Sequence, residues 1–432
     1  MPFAINRKII AGLLLFSALH FKAQDTLAYK MKATKSIGTL SLSVKQADSI
    51  FISKNFALLA ASMNIEAQKA QIIQAKVYPN PVFTADINAY NPQRNQYFDI
   101  GPAGQKSFQL EQLILLGGKR KSSVELAKTN AAIAELEFQD LLRNLKYELH
   151  AGLYSLSQQR FLLDVYNKQL AMLDKIIAAY EEQAKKGNIP LKDVVRIKGV
   201  YLNLNSSRAE LLKMHFDELS KLQTLLQTDL IIVPIIKESD FNSRIKTNGL
   251  SELKDLAIKS RADYQIYQQN ITAAEQYMSY QKSLAVPDVN LFGSYDQRGG
   301  AFVNQINVGI SIPLPVWNRN QGNIKASRYV IKQNEYNEQG LKSKIFSEIQ
   351  SNFLVYSQTV EEYQKVNTLY NSDFEMTLNG MTDNFQKRNV GLIEFVDFFE
   401  AYNQAMAEIA RIRIQLAVSA EQLNLTLGKE IY

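Results

Sequence analysis

Apolar positions recur at helical spacing from Leu341 through Ile345, Ile349, Phe353, Tyr356, Val360, Tyr363, Val366 and Tyr370 to Phe374, nine steps over 33 residues. The mean step, about 3.7, lies close to the 3.6 of a straight helix and above the 3.5 that winds a left-handed supercoil. No proline interrupts Lys119–Lys186 or Asn323–Arg388, and proline is what breaks helix interiors. The pattern predicts two very long helices there, each roughly 100 Å at about 1.5 Å per residue. Gly340 and Gly380 weaken the second locally. Further helices are predicted over Val44–Lys76, Leu191–Gln227, Glu252–Leu284 and Leu392–Leu427.

Between these runs the period changes to two. Phe83, Ala85, Ile87 and Ala89 alternate with Thr84, Asp86 and Asn88, and Phe108 and Leu110 alternate with Ser107, Gln109 and Glu111. Later, Val289, Leu291, Gly293 and Tyr295 oppose Asp288, Asn290 and Ser294; Ile306, Val308, Ile310 and Ile312 oppose Gln305, Asn307, Gly309 and Ser311. Such alternation marks a half-buried strand. At about ten residues per strand it also marks a wall of a transmembrane β-barrel. Four strands cannot close such a barrel, because about eight is the usual minimum, and an open edge in lipid leaves backbone groups unpaired. A membrane reading therefore requires several copies to share one barrel.

The order helix, strand, strand, very long helix, turn, helix thus appears twice, offset by about 200 residues, a duplicated subdomain rather than a solenoid unit. The expected organisation is a signal peptide over 1–24, a first repeat over 25–228, a linker over 229–250 and a second repeat over 251–432. The linker, "DLIIVPIIKESDFNSRIKTNG", mixes apolar and polar residues and reads as packed irregular structure. The leader rests on basic Arg7 and Lys8, then an apolar run from Ile9 to Leu19 too short to span a bilayer.

Composition narrows the chemistry. The 432 residues contain no cysteine, which excludes disulfides, thiolate metal sites and an acylated N-terminal cysteine. The formal charge is +7. Removing Arg7, Lys8 and Lys22 with the leader takes it to +4, and no basic block with interleaved aromatics suggests nucleic acid. Of the three histidines His20 lies in the leader; His150 and His215 sit in helical patterns and read as packed or surface residues rather than ligands. There is no P-loop, GxSxG, HExxH or dinucleotide fingerprint. "LGGKR" from Leu116 lacks the first glycine and the Ser/Thr of a Walker motif, so its glycines are expected at a strand-to-helix turn. No catalytic residue, cofactor site or metal site is predicted, and an enzyme is not expected.

The leader, the duplication, "VYPNPVF" against "AVPDVNLF", "LGGKRKSSV" against "IPLPVWNRNQGNI", "NVGLIEFVD" and the ending "LNLTLGKE" together resemble the TolC-like outer-membrane efflux proteins over nearly the whole chain. "WNRNQGNI" and the overall length lean toward the heavy-metal branch. The resemblance implies a mainly α fold with a small membrane β-barrel: a homotrimer with a twelve-stranded barrel in the outer membrane and a twelve-helix α-barrel across the periplasm. It implies an exit duct for substrates expelled by an inner-membrane transporter through a periplasmic adaptor.

The same resemblance places the adaptor-contacting tips at Gly187, Asn188, Ile189, Pro190 and Leu191, and at Asn389, Val390, Gly391 and Leu392. Because Pro190 stands where the second turn has Gly391, the two turns are expected to differ in detail. The periplasmic gate would be lined by Asp193, Glu394 and Asp397, the last two sharing a helix face at i, i+3. The bland alternative for each is a solvated acidic face. Rival readings are the outer-membrane channel of a type I protein secretion system and a periplasmic coiled-coil adaptor or scaffold. The latter would carry one hairpin flanked by β-rich domains.

Overall fold

The structure is a computed structural model that describes residues 38–299, 301–370 and 373–432; everything below lies in the unit Thr39–Tyr432. The predicted leader, 1–24, lies outside the described residues. Strand β1 (Thr39–Leu42) leads into helices α1 (Val44–Lys54) and α2 (Phe56–Lys76), then strand β2 (Val82–Ile87), a ribbon of β3 (Tyr90–Asn91) and β4 (Gln96–Tyr97), and strand β5 (Gln105–Ile114). Helix α3 (Lys119–Lys185) follows with 67 residues, then α4 (Leu191–Leu226). Strand β6 (Ile231–Pro234) and helix α5 (Glu238–Asn242) connect to α6 (Leu250–Ser260) and α7 (Ala262–Leu284). Strands β7 (Val289–Arg298) and β8 (Phe302–Ser311) and helices α8 (Gln321–Leu369), α9 (Asp373–Gln386) and α10 (Leu392–Leu427) complete the chain.

The helices α3, α4 and α10 take the expected bounds, whereas three predicted helices are interrupted. Asn55 divides α1 from α2. Its Oδ1 accepts from the Ala57 and Leu58 amides, and its Nδ2 donates to the Leu225 carbonyl in the last turn of α4. Arg261 divides α6 from α7 in the same way, donating to the Thr426 carbonyl in the last turn of α10. Each break thus satisfies a carbonyl that a helix end leaves unpaired. The third break corrects the expectation of one helix over Asn323–Arg388. Helix α8 ends at Leu369, and Tyr370 turns extended at φ −90°, ψ 110°. The helix runs through Gly340 and α9 through Gly380. Asparagine, serine and aspartate, the residue types that follow Tyr370 in the sequence, have low helix propensity.

The Leu341–Phe374 stripe is the packed face. Ile345, Ile349, Tyr356 and Tyr363 are buried, and Phe353, Val360 and Val366 pack against them. A second cluster joins α3, α4, α9 and α10 along their far halves through residues such as Leu173, Ile197, Phe385 and Phe399. A third seats Phe51 and Leu58 against Leu149, Leu153 and Leu222. The connecting segment after α4 is packed too: β6 pairs in parallel with β1, and Ile232 and Phe241 are buried.

Strands β2, β5, β7 and β8 form one antiparallel sheet in that order. Its register aligns Ala85 with Phe108 and Phe108 with Tyr295, Phe83 with Leu110, and Leu291 with Ile310, Gly293 with Val308, Tyr295 with Ile306. One face therefore collects Phe83, Phe108, Leu110, Leu291, Tyr295, Ile306, Val308 and Ile310. The other carries Thr84, Asp86, Gln109, Glu111, Ser294 and Asn307. The apolar face lies open, with Ile306, Val308 and Ile310 exposed by 79%, 86% and 66%. Strands β2 and β8 end the sheet, each paired on one side only among the described residues. No helix of the described residues is long and apolar enough to cross a membrane.

At the start of α3 the glycine pair does what its sequence suggested. Gly117 and Gly118 take φ of +69° and +78°, and a Cβ on Gly117 would lie 2.8 Å from Val286 Cβ. Lys119 is buried there and donates to Asp288 at 2.5 Å and to the Val286 carbonyl at 2.7 Å. At the matching start of α8, Asn320 takes the left-handed position, φ 57°, and donates to Gln281.

Candidate functional site

The two hairpin tips are the candidate site. The first lies between α3 and α4. Gly187 is left-handed at φ +76°, its amide donates to the Ala184 carbonyl, and the Asn188 amide donates to the Gln183 carbonyl at 2.9 Å. This pair of bonds, with the left-handed residue between, is a Schellman cap. The Asn188 side chain also donates to Gln183 Oε1 at 2.8 Å.

The second tip, between α9 and α10, repeats it bond for bond. Arg388 donates to Phe385, Asn389 donates to Asn384 at 2.9 Å, and the Asn389 side chain donates to Asn384 Oδ1 at 3.2 Å. The left-handed position is held by Arg388, φ 64°, where the first tip has Gly187. Pro190 and Gly391 precede their helices with the same extended backbone, φ −65° and ψ 140° against φ −75° and ψ 156°. The expected difference between the turns is thus absent from the backbone at this pair. Glycine is favoured at 187, by its positive φ, and has no such reason at 391, where the φ is negative and a Cβ would meet open space.

The tips lie side by side. Tyr180 of α3 stacks on Phe385 of α9 with centroids 5.5 Å apart, Phe385 on Phe395 of α10 at 4.2 Å, and Phe395 near Phe399 at 5.9 Å. Ile189 of one turn and Arg388 of the other line a common cavity of about 460 Å³ with Tyr180 and Phe385. Burial raises the Tyr180 phenol's pKa, the Asp193 charge raises it further and Arg388 opposes both. Asp193 and Arg388, one from each hairpin, therefore act on the same phenol.

The structure places Asp193 half-buried in the first turn of α4. Glu394 and Asp397 are exposed on α10, on either side of buried Phe395 and Val396. No ion pair is made by these three carboxylates among the described residues. Leu191 is 71% exposed at the tip, and Gly187, Asn188, Pro190, Asn389 and Gly391 are exposed beside it; Ile189, Val390 and Leu392 are half-buried. Sequence reasoning missed Arg388 and the aromatic ladder. The signal was present: Phe385, Phe395 and Phe399 flank the turn at spacings that bring them onto facing sides of a hairpin.

No protein-family model matches the chain. Solved structures match it over nearly its whole length, outer-membrane channels among them. CusC, described as forming a transmembrane channel, superposes with a TM-score of 0.73 at 16% identity, covering 92% of this chain and 95% of its own. The CmeC outer-membrane channel of Campylobacter jejuni gives 0.72 at 14% identity, over 89% and 85%. The fold of this chain is therefore that of the TolC-like outer-membrane channels, as the sequence resemblance implied. In sequence it is 21% identical over 403 residues, 90% of each chain, to the cobalt–zinc–cadmium resistance protein CzcC of Cupriavidus metallidurans.

Proposed function

We propose that this protein is the outer-membrane exit duct of a tripartite efflux pump, conducting passively what an inner-membrane transporter delivers through a periplasmic adaptor. The observation that carries the reading is the four-stranded sheet with one continuous exposed apolar face and two singly paired edges. Lipid satisfies the face, and only closure with further copies satisfies the edges. Three copies would join β8 of one to β2 of the next in a twelve-stranded barrel, and would place the long helices as staves of a shared α-barrel. The division into repeats 25–228 and 251–432 around a linker at 229–250 belongs to the same reading.

The tips Gly187–Leu191 and Asn389–Leu392 are proposed as the adaptor contacts, with Asp193, Glu394 and Asp397 lining the gate. CzcC's role in cobalt, zinc and cadmium resistance supports divalent metal cations as cargo over the protein substrates of type I secretion.

Membrane fractionation and mass measurement in detergent test the assembly. A trimer recovered from outer membranes is the expected result; a soluble monomer that needs no detergent overturns the reading. Deleting the gene is expected to sensitise cells to zinc, cobalt or cadmium. Unchanged metal tolerance with lost export of a polypeptide would assign the duct to protein secretion instead.

A further inference from the structure

The sheet's last rungs pair Ile114 with Val289 and Ser311 with Asn290, so β5 and β8 end at the same level. Exposed apolar side chains run on past them through Ile312, Leu314 and Val316 and then give way to aromatic and basic residues. After β8 comes Trp317, the chain's one tryptophan, 88% exposed, followed by Arg319. After β5 comes a cavity of about 580 Å³ whose lining includes Lys76, Tyr78, Leu115, Arg120, Lys121 and Glu125.

That cavity is built and positive. The Arg120 guanidinium lies 4.1 Å from the Tyr78 ring centroid and donates to the Lys76 carbonyl at 2.8 Å, so its position is fixed before any ligand arrives. Two other charges at the cavity are already matched: Lys119 by Asp288, and Glu125 by Lys128 at 2.8 Å. Lys76, Arg120 and Lys121 make no ion pair among the described residues. Three cations without an ion pair among the described residues therefore line one cavity with Tyr78 and Leu115, at the boundary where the exposed apolar surface meets basic side chains. Exposed Trp and Tyr at such a boundary occupy the headgroup level of a bilayer, and basic pockets at that level bind anionic headgroups. A planar guanidinium held by stacking suits a phosphate's paired oxygens.

We propose that Lys76, Arg120 and Lys121 with Tyr78 form a site for the phosphate of an anionic phospholipid of the periplasmic leaflet, and that Trp317 anchors the neighbouring junction at the same depth. The proposal rests on the reading that the sheet's apolar face lies in lipid. Such a site fixes the depth at which the strands sit.

The test uses the full-length assembly purified in detergent, incubated separately with phosphatidylglycerol, phosphatidylcholine and inorganic phosphate, and read by native mass spectrometry. The parent should retain phosphatidylglycerol over phosphatidylcholine. K76Q and K121Q alter exposed side chains, and each should lower phosphatidylglycerol retention about fivefold at unchanged assembly mass. R120Q should lower it further. Trp317→Ala should reduce retention of both lipids alike. Equal retention of the two lipids, or retention indifferent to K76Q and K121Q, overturns the proposal. So does displacement of phosphatidylglycerol by inorganic phosphate, which would make the cavity a free-anion site. A changed ion selectivity in planar bilayers with unchanged lipid retention would place the cations in the lumen and overturn it equally. These outcomes are separate from failure of the duct reading, in which the protein would not partition into membranes at all.

Discussion

His150 Nδ1 lies 2.8 Å from Glu421, a residue 271 positions later in the chain, and its Nε2 lies 2.8 Å from Asp48. Both ring nitrogens thus face carboxylates, which is the arrangement of an imidazolium. Arg244 reaches the same Glu421 oxygen at 2.6 Å, and Lys146 lies 3.6 Å from Asp48. A buried cation in this way fastens α1, α3, α10 and the segment after β6. Burial alone would lower the His150 pKa, but the hydrogen bonds and charges of Asp48 and Glu421 outweigh it and raise the value to about 9. Burial alone would raise the Glu421 carboxyl's pKa, but His150, the Arg244 charge and the Asn424 side chain outweigh it and hold the carboxyl below its usual range.

The first prediction is a pH dependence. A histidine whose folded pKa exceeds its unfolded value of about 6.5 adds stability that is complete below pH 6.5 and is lost as pH rises through about 9. The shift corresponds to on the order of 3 kcal/mol. Thermal unfolding of the parent should therefore fall more steeply between pH 7 and 10 than that of His150→Gln. His150→Gln should be less stable at pH 6.5 and nearly level with the parent near pH 10. Parallel curves would mean that the imidazole is neutral in the folded protein.

The second concerns the tips. Arg388 pays a left-handed penalty that Gly187 avoids, about 1 kcal/mol for a side chain with a Cβ. Arg388→Gly should slow amide hydrogen exchange across the last turn of α9, and Gly187→Ala should speed it across the last turn of α3. If both changes leave exchange untouched, the tip turns are not held in these conformations.

The third concerns the strand-to-helix junction. Asp288→Asn leaves Lys119 buried without a counter-charge, a loss of about 3 kcal/mol or more. The variant should unfold at lower temperature, whereas K119M/D288L, which removes both charges, should recover much of the difference. An equally unstable double variant would show that packing, not charge, decides this position.

The fourth concerns the proposed gate. Glu394→Ala with Asp397→Ala removes two exposed carboxylates, so unfolding should shift by no more than about 0.5 kcal/mol. Divalent-cation block of single-channel current in planar bilayers should weaken. A double variant blocked like its parent would leave these carboxylates as solvated surface.

The sequence made the periodic features legible. The ends of α3, α4 and α10 follow from proline placement and capping turns, and the apolar face of the sheet from strict alternation. What it concealed was long-range or competitive. Asp48, His150 and Glu421 each look like a charge on a helical surface, because the partners that bury them are 102 and 271 positions away. The break at Tyr370 was hidden because the apolar stripe continues across it: Tyr370 packs on Phe374 at 5.5 Å as it would in an unbroken helix. At the tips, Gly391 drew attention by residue type, while the backbone placed the demand on Arg388.

The unequal edges of the sheet, six residues in β2 and ten in β8, carry a genetic consequence. In a ring closed by such edges each copy offers β2 to one neighbour and β8 to the other. A subunit with an intact β2 and a damaged β8 would enter the ring and leave it unsealed. A proline in the middle of β8 makes such a subunit, since it removes a ladder amide from that edge. Co-expressed with the parent, it would act as a dominant poison, leaving only a minority of rings intact, whereas a null allele would merely halve the supply.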